Sequence, residues 1–343
     1  MTSKRPLRAL GASELLYRFF FKAFFTRLDP EFAHELVVTG LRFLSGLGLI
    51  RAGKARDDIS TLGLHFENRL GMAAGFDKNG ILIKALHALG FGHVEIGTVT
   101  PLPQPGNPKP RLFRLPKNQG LINRMGFNNE GAEAVAARIA KLRKDNQRLP
   151  IIGINIGKNK STSQELAHRD YGVATKTLAP VADYLVVNVS SPNTAGLRDL
   201  QQVDELRPIL HAVLAAAGNV PVLLKIAPDL IDADIEAIAS LVVEMNLAGM
   251  VATNTTISRE NLIAESSAAE PGGLSGPILA ERSTEVLKLL GTLLPSTMTV
   301  ISAGGVLTKS DYLARISLGA DLVQGYTGFV YAGPFWAKRL TAR

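Results

Sequence analysis

Eight short runs of apolar and β-branched residues, each followed by a stretch with helical spacing, dominate the chain from residue 69 onward. They are RLGMAAG from Arg69, HVEIGTV from His93, PIIGINI from Pro150, YLVVNVS from Tyr184, PVLLKIA from Pro221, GMVATN from Gly249, TVISAG from Thr299 and DLVQGY from Asp321. Between them lie patterns such as ILIKALHALG, GAEAVAARIAKLRKD and ADIEAIASLVVEMN. Strands that are apolar on both faces suit a parallel sheet covered by helices. Eight such units predict an α/β fold whose sheet closes on itself, a (β/α)8 TIM barrel. An open doubly wound sheet uses the same alternation, but it would place a Gly-x-Gly-x-x-Gly turn after the first strand, and GMAAGFDKNG does not supply one there.

A barrel presents its reactive groups at the C-terminal ends of its strands, so the strand assignments also nominate a site. Those ends carry Asp77-Lys78, Thr98, Asn155 with Lys158, Asn188 to Asn193, Lys225, Thr253-Asn254-Thr255, Gly304-Gly305 and Tyr326-Thr327. They include no pair of carboxylates for a glycosidase and no histidine beside a serine. The absence of cysteine from all 343 residues excludes disulfides, thiolate nucleophiles and iron–sulfur ligation. The six histidines have no metal-ligand spacing, so no metal is expected. What remains is amides, hydroxyls, lysines and glycine turns after the seventh and eighth strands. Such turns form the usual phosphate cradle of a barrel. Amide donors with a buried lysine also suit a flavin ring, whose reduced anion the lysine charge stabilises, and Lys225 is the candidate. The stretch NVSSPNT, residues 188–194, reads by itself as a turn, and its place after the fourth strand makes it a candidate catalytic loop.

The N-terminal segment differs in character. Of the formal net charge of +8, the first 28 residues hold +5, with six basic residues against Glu14 alone. The sequence predicts two helices broken at Asp29-Pro30, the first with an apolar stripe of Leu16, Phe20, Phe24 and Leu28 widened by Tyr17, Phe21 and Phe25. Arg18, Lys22 and Arg27 interrupt the apolar runs well short of the roughly 20 residues a bilayer span requires. The same charges spoil a signal-peptide core, and the aromatic content sets the segment apart from an organellar presequence. The hairpin either packs on its own domain or dips its aromatic side chains into a membrane while Arg and Lys meet anionic headgroups. Its density of aromatics favours the membrane.

The segments AAGFDKNG, FGHVEIGTVTPLPQPGNPKPRLFRL, INRMGFNNEG, GINIGKNK, NVSSPNTAGLR, KIAPDL, ATNTT, GGLSGP and GYTGF, in order between residues 69 and 329, resemble the membrane-associated, quinone-dependent (class 2) dihydroorotate dehydrogenases. The resemblance implies an N-terminal hairpin domain (residues 1–55) that forms a quinone tunnel and an FMN-binding barrel (residues 56–343). It implies oxidation of (S)-dihydroorotate to orotate in pyrimidine synthesis, with hydride passed to FMN and electrons then to a membrane quinone.

FMN contacts are implied at Ala74, Gly75, Phe76, Asp77, Lys78, Thr98, Asn155, Asn188, Lys225, Thr253, Gly276, Gly305, Tyr326 and Thr327. Substrate contacts are implied at Lys78, Asn123, Arg124, Met125, Gly126, Phe127, Asn188, Asn193, Asn254 and Thr255, and quinone contacts at His34, Arg114 and Tyr326. The implied base is Ser191. A cysteine base, used by the soluble class 1 branch, cannot exist in this chain, and a proton leaving Ser191 is expected to follow a hydroxyl such as Thr194 or a water. The sequence departs from the family at ISAGG, where Ser302 and Ala303 replace Gly-Val before the glycine turn. Residues 262–272, rich in Ala, Ser and Glu, are expected to form a flap over the substrate.

The expected partners are dihydroorotate and orotate, a membrane quinone and an anionic membrane surface. The chain is expected to be a monomer on the cytoplasmic face of a bacterial inner membrane, without a nucleic-acid partner. A dihydrouridine-synthase-like enzyme would need a cysteine and a C-terminal helical domain. A nucleic-acid-binding protein would need its basic excess on one exposed face, whereas much of it lies on the aromatic N-terminal helix.

Overall fold

The computed structural model describes residues 23–49, 57–145 and 148–342, together with Tyr17, Phe19 and Phe21. Eight parallel strands close into a barrel: β1 (Leu70–Met72), β2 (His93–Val99), β3 (Ile151–Ile156), β4 (Tyr184–Asn188), β5 (Val222–Ile226), β6 (Gly249–Ala252), β7 (Thr299–Ala303) and β8 (Leu322–Gly325). They follow one another in sequence order, and β8 returns to β1 with Val323 beside Leu70 and Gly325 beside Met72. All eight runs expected from the sequence are strands of this one sheet.

Alternate residues of each strand divide between two cores. Leu185, Val187, Leu224 and Ile226 face outward into the layer shared with the helices. Tyr184, Val186, Leu223, Val251, Ile301 and Leu322 cluster with Phe66, from the antiparallel hairpin Ile59–Thr61/Leu64–Phe66. Two missing side chains make room for that second core. A Cβ at Gly71 would stand 2.0 Å from the His93 ring, and one at Gly153 would stand 2.1 Å from the Tyr184 ring. The N-terminal end of the barrel is thereby filled. On the same inward faces, one or two steps toward the C-terminal end, stand Asn155, Asn188, Lys225, Thr253 and Gln324.

The long β2-to-β3 connection contributes two strands that the sequence reading missed. Leu112–Leu115 and Gly120–Asn123 form an antiparallel sheet with Gly273–Ser275. Residues 262–272 are fastened to this sheet. The Glu265 carboxylate accepts from the backbone N–H groups of Lys117 and Asn118, and Arg124 pairs with Glu270 at 2.6 Å.

The break at Asp29-Pro30 is present as expected. Asp29 caps the helix Pro30–Gly46 by accepting from the Glu31 and Phe32 amides, with Pro30 in its first turn. Tyr17, Phe19, Phe21 and Ala23 are helical, whereas Leu16, Arg18, Phe20 and Lys22 lie outside the described residues. The helix Pro30–Gly46 turns apolar side chains outward: Phe32, Leu36 and Phe43 are each more than half exposed. Among the described residues no helix is long and apolar enough to cross a membrane.

A buried ion pair fixes this helix to the barrel. Arg111 Nε and Nη2 donate to the Glu31 carboxylate at 2.8–3.2 Å, while Arg111 Nη1 donates to the carbonyls of Pro105 and Asn107. Burial pushes the Glu31 carboxyl upward, but Arg111 and Lys109 outweigh it and hold the group below its usual range. Removing one partner of such a pair strands the other. Glu31→Ala is therefore expected to weaken the docking of this helix by about 3 kcal/mol, with faster proteolysis within residues 30–46 and little change in barrel melting. Unchanged cleavage would show that apolar contacts alone hold the helix.

Candidate active site

The C-terminal ends of the strands surround one cavity, walled on one side by the Pro30–Gly46 helix and on another by the antiparallel sheet. Ala74, Gly75, Lys78, Thr98, Asn188, Ser191, Lys225 and Thr253 line it from the barrel, and Asn123 lines it from the sheet. Met125, Gly126, Phe127, Asn193, Asn254, Thr255, Gly276, Gly305, Tyr326 and Thr327 complete most of the wall, and His34 reaches it from the helix.

The two adjacent serines have different surroundings. Ser190 is fully buried and committed: its Oγ donates to Asn188 Oδ1 at 3.1 Å and accepts from Asn254 Nδ2 at 3.0 Å. Ser191 lines the cavity, and its Oγ accepts from the backbone amide of Asn193 at 3.3 Å. The loop is clamped by Arg198, which donates to the carbonyls of Ser190 and Thr255 and pairs with Asp229 at 2.8 Å. Asn107 Nδ2 braces its other end by donating to the Asn193 carbonyl at 3.0 Å.

Asparagine amides are oriented by one another. Asn188 Nδ2 donates to Thr98 Oγ1 at 2.8 Å and to Asn155 Oδ1 at 3.1 Å, and Asn193 Nδ2 donates to Asn123 Oδ1 at 3.1 Å. Beneath them is a group the sequence reading passed over. Glu95 has no solvent exposure and accepts from Asn155 Nδ2 at 2.8 Å and Gln324 Nε2 at 2.6 Å, with Lys225 Nζ at 3.6 Å. An acid at an inward position of an otherwise apolar strand was the available sign, because a buried carboxylate needs partners. It is the anionic partner that a buried Lys225 requires.

Several expected contacts lie elsewhere. Asp77 accepts from the amides of Ile81 and Leu82, so its carboxylate shapes the turn after β1. Phe76 packs edge-on against His34, Tyr326 and Phe329. Arg124 turns outward over the Phe113 ring toward Glu270. Arg114 donates to the carbonyls of Leu28 and Asp29, at the break between the two N-terminal helices. Lys158 donates to the Thr162 carbonyl, away from the cavity.

The cavity wall combines unpartnered polar atoms with apolar stretches. Two buried side-chain oxygens of residues that line it, Thr253 Oγ1 and Asn193 Oδ1, have no hydrogen-bond partner among the described residues. Polar atoms left bare in a native site call for a ligand or water. Apolar contacts from Ala73, Ala74 and Leu279 line other parts of the wall.

Comparison with known proteins gives this chemistry a family. Residues 58–343 match the family model for dihydroorotate dehydrogenase. The chain belongs to the dihydroorotate dehydrogenase family. It is 52% identical over 336 residues to the Clavibacter sepedonicus protein named dihydroorotate dehydrogenase (quinone), covering 95% of this chain and 97% of that one. It is 53% identical over 326 residues to the Mycolicibacterium vanbaalenii protein of the same name, covering 92% and 91%. Among solved structures, DHODH from Eimeria tenella in complex with ferulenol superposes with a TM-score of 0.85 at 38% identity, covering 91% of this chain and 90% of that one. The ligand-free DHODH from the same organism gives the same score and identity. The family barrel and the closed eight-stranded sheet agree.

Two cavity groups have shifted proton affinities. Burial, with a smaller effect from Arg111, lowers Lys78 to about 8, against a partial lift from Glu31. Burial, then the Lys78 charge, lowers His34 to about 3, so its imidazole is neutral across the physiological range. Lys78 carries its charge below its pKa and loses it above. For dihydroorotate, whose carboxylate a cationic lysine would bind, kcat/KM is expected to fall as pH rises through about 8. A Lys78→Gln variant should be weaker throughout and lack this limb; retention of the limb would assign it to another group.

Proposed function

We propose that this dehydrogenase works through a bound FMN, with Ser191 as the base that takes the proton from dihydroorotate. The overall reaction is oxidation of dihydroorotate to orotate with reduction of quinone, a step of pyrimidine synthesis. The observation that supports the residue assignment is the contrast between the serines: Ser190 is spent on Asn188 and Asn254, while Ser191 lines the cavity together with Asn123, Asn188, Asn193 and Asn254. The empty cysteine count leaves no thiolate to compete for the role.

Each group has a physical task. Asn123, Asn188, Asn193 and Asn254 supply amides fixed by their mutual hydrogen bonds, and Lys78 supplies positive charge for a carboxylate. Holding substrate in one orientation removes much of the entropic barrier. Ser191 accepts the proton from the carbon next to the substrate carbonyl, and it passes that proton along hydroxyl or water neighbours. When bound, FMN supplies the acceptor for hydride and the route of electrons to quinone. Ala74, Gly75, Thr98, Asn188, Thr253 and Gly276 would hold it, with Asn155 behind them orienting Thr98 and Asn188, Lys225 supplying charge beside the ring and Gly305, Tyr326 and Thr327 meeting its phosphate. The protein would reduce quinone where His34 and Tyr326 meet the N-terminal helices.

The outward apolar face of Phe32, Leu36 and Phe43 supports attachment of these helices to the membrane that holds the quinone. We place the chain, as a monomer, on the cytoplasmic face of a bacterial inner membrane.

The purified protein is expected to show flavin absorbance that bleaches with dihydroorotate and returns with a soluble quinone. Absence of a flavin band, or reoxidation by fumarate and not by quinone, would overturn the reading. Ser191→Ala should retain flavin yet slow the bleaching by about a hundredfold or more, the usual scale for losing a positioned base. Bleaching at a near-normal rate would remove Ser191 from the role. His34→Ala should raise the KM for quinone while leaving bleaching by dihydroorotate unchanged; an equal loss in both half-reactions would place His34 outside the quinone route.

A further inference from the structure

Arg315, on the helix Lys309–Ser317, is a cation that makes no ion pair among the described residues. It is 3% exposed, and its guanidinium lies behind the Gly304-Gly305 turn after β7. Nη1 donates to Ser302 Oγ at 3.1 Å. Nη2 donates to Ser283 Oγ at 2.8 Å and to the carbonyls of Ala280 and Gly304 at 3.0 Å each. All of these acceptors are neutral. Asp311, one turn back on the same helix, acts on Arg315 through space, but its carboxylate accepts from the amides of Leu307 and Thr308 and makes no ion pair with Arg315 among the described residues. Burial lowers the guanidinium to about 10, which still leaves it charged at neutral pH.

The surroundings of that charge are built around a turn that borders the cavity. Gly304 and Gly305 have φ of +100° and +73°, and a Cβ on Gly305 would stand 2.3 Å from Ala280 Cα, at the start of the helix Ala280–Leu293. Gly276, Leu279, Gly304, Gly305 and Val306 line the cavity here. Arg315 therefore fastens a glycine turn to the first residues of a helix, the arrangement that presents backbone N–H groups to an anion. Ser302 Oγ is one of the oxygens that hold it. Enclosing a cation among neutral oxygens is costly unless an anion comes close. The cavity beside the turn is where that anion would sit.

We infer that Arg315 is a positioning residue that supplies the positive charge behind the phosphate end of the flavin site, and that it makes the site select a phosphorylated flavin over riboflavin. The inference rests on the FMN reading above. It adds a charge that touches neither the phosphate nor the ring and acts through the turn it holds.

Holoenzyme equilibrated with an equimolar mixture of FMN and riboflavin, then freed of unbound flavin and extracted, reads the preference directly by chromatography of the two flavins. The wild-type protein is expected to hold FMN almost alone. Arg315→Gln keeps donors but loses the charge, and should lower the FMN preference by about tenfold or more, the usual size of a charged hydrogen-bonded contact. Arg315→Lys keeps the charge and should retain most of the preference. A Gln variant with the wild-type preference, even one that holds less flavin in total, would show that Arg315 is a brace for the turn and nothing more. Should that variant not fold, Ser302→Asp sets a carboxylate against the guanidinium and decides in the same way: a lowered preference supports the inference, an unchanged one overturns it. A wild-type protein that retains neither flavin, or takes both equally, would defeat the FMN reading itself.

Discussion

Glu95 is a carboxylate sealed inside the barrel, and the division of the molecule into scaffold and site turns on it. Its oxygens accept from Asn155 on β3 and Gln324 on β8, and Lys225 on β5 stands 3.6 Å away. Below it the interior is a packed apolar plug of Phe66, Tyr184, Val186, Leu223 and Ile301. Above it, Asn155 hands the network on to Thr98 and Asn188, which face the cavity. A buried charge is tolerable only with its partners in place, so this carboxylate ties three strands to one arrangement of polar side chains. The floor of the site is therefore held by the same contacts that set the upper limit of the core.

The second organising contact is the Glu31–Arg111 pair. Arg111 also donates to the carbonyl of Asn107, whose side chain donates to the Asn193 carbonyl in the loop of Ser191. The helix that carries His34 and the loop that carries Ser191 are thus fastened to one connection, the long segment between β2 and β3.

Much of this was legible in the chain. The eight apolar runs specify a parallel barrel because strands buried on both faces cannot alternate, and most of the polar residues that end them line the cavity. The break at Asp29-Pro30 was readable because an aspartate cap and a first-turn proline act locally. The strands Leu112–Leu115 and Gly120–Asn123 were missed, since their pairing with Gly273–Ser275 joins segments some 150 residues apart and leaves only a short pattern in either. Asp77 and Arg124 stand in motifs of the site, yet their side chains serve a turn and the Glu270 contact. Motif membership places a residue near a site, but only packing decides which way its side chain points.

The sequence by itself determined the fold class, the exclusion of a cysteine base and the set of amides, hydroxyls and lysines available for catalysis, because these follow from periodicity and composition. The tertiary structure decided which of two neighbouring serines is open to the cavity, which carboxylate accompanies Lys225, and that a buried arginine stands behind the glycine turn. Those outcomes depend on contacts between residues far apart in the chain. Glu95 and Lys225, or Ser302 and Arg315, acquire their meaning only when folding removes water and leaves each polar group to find its partner.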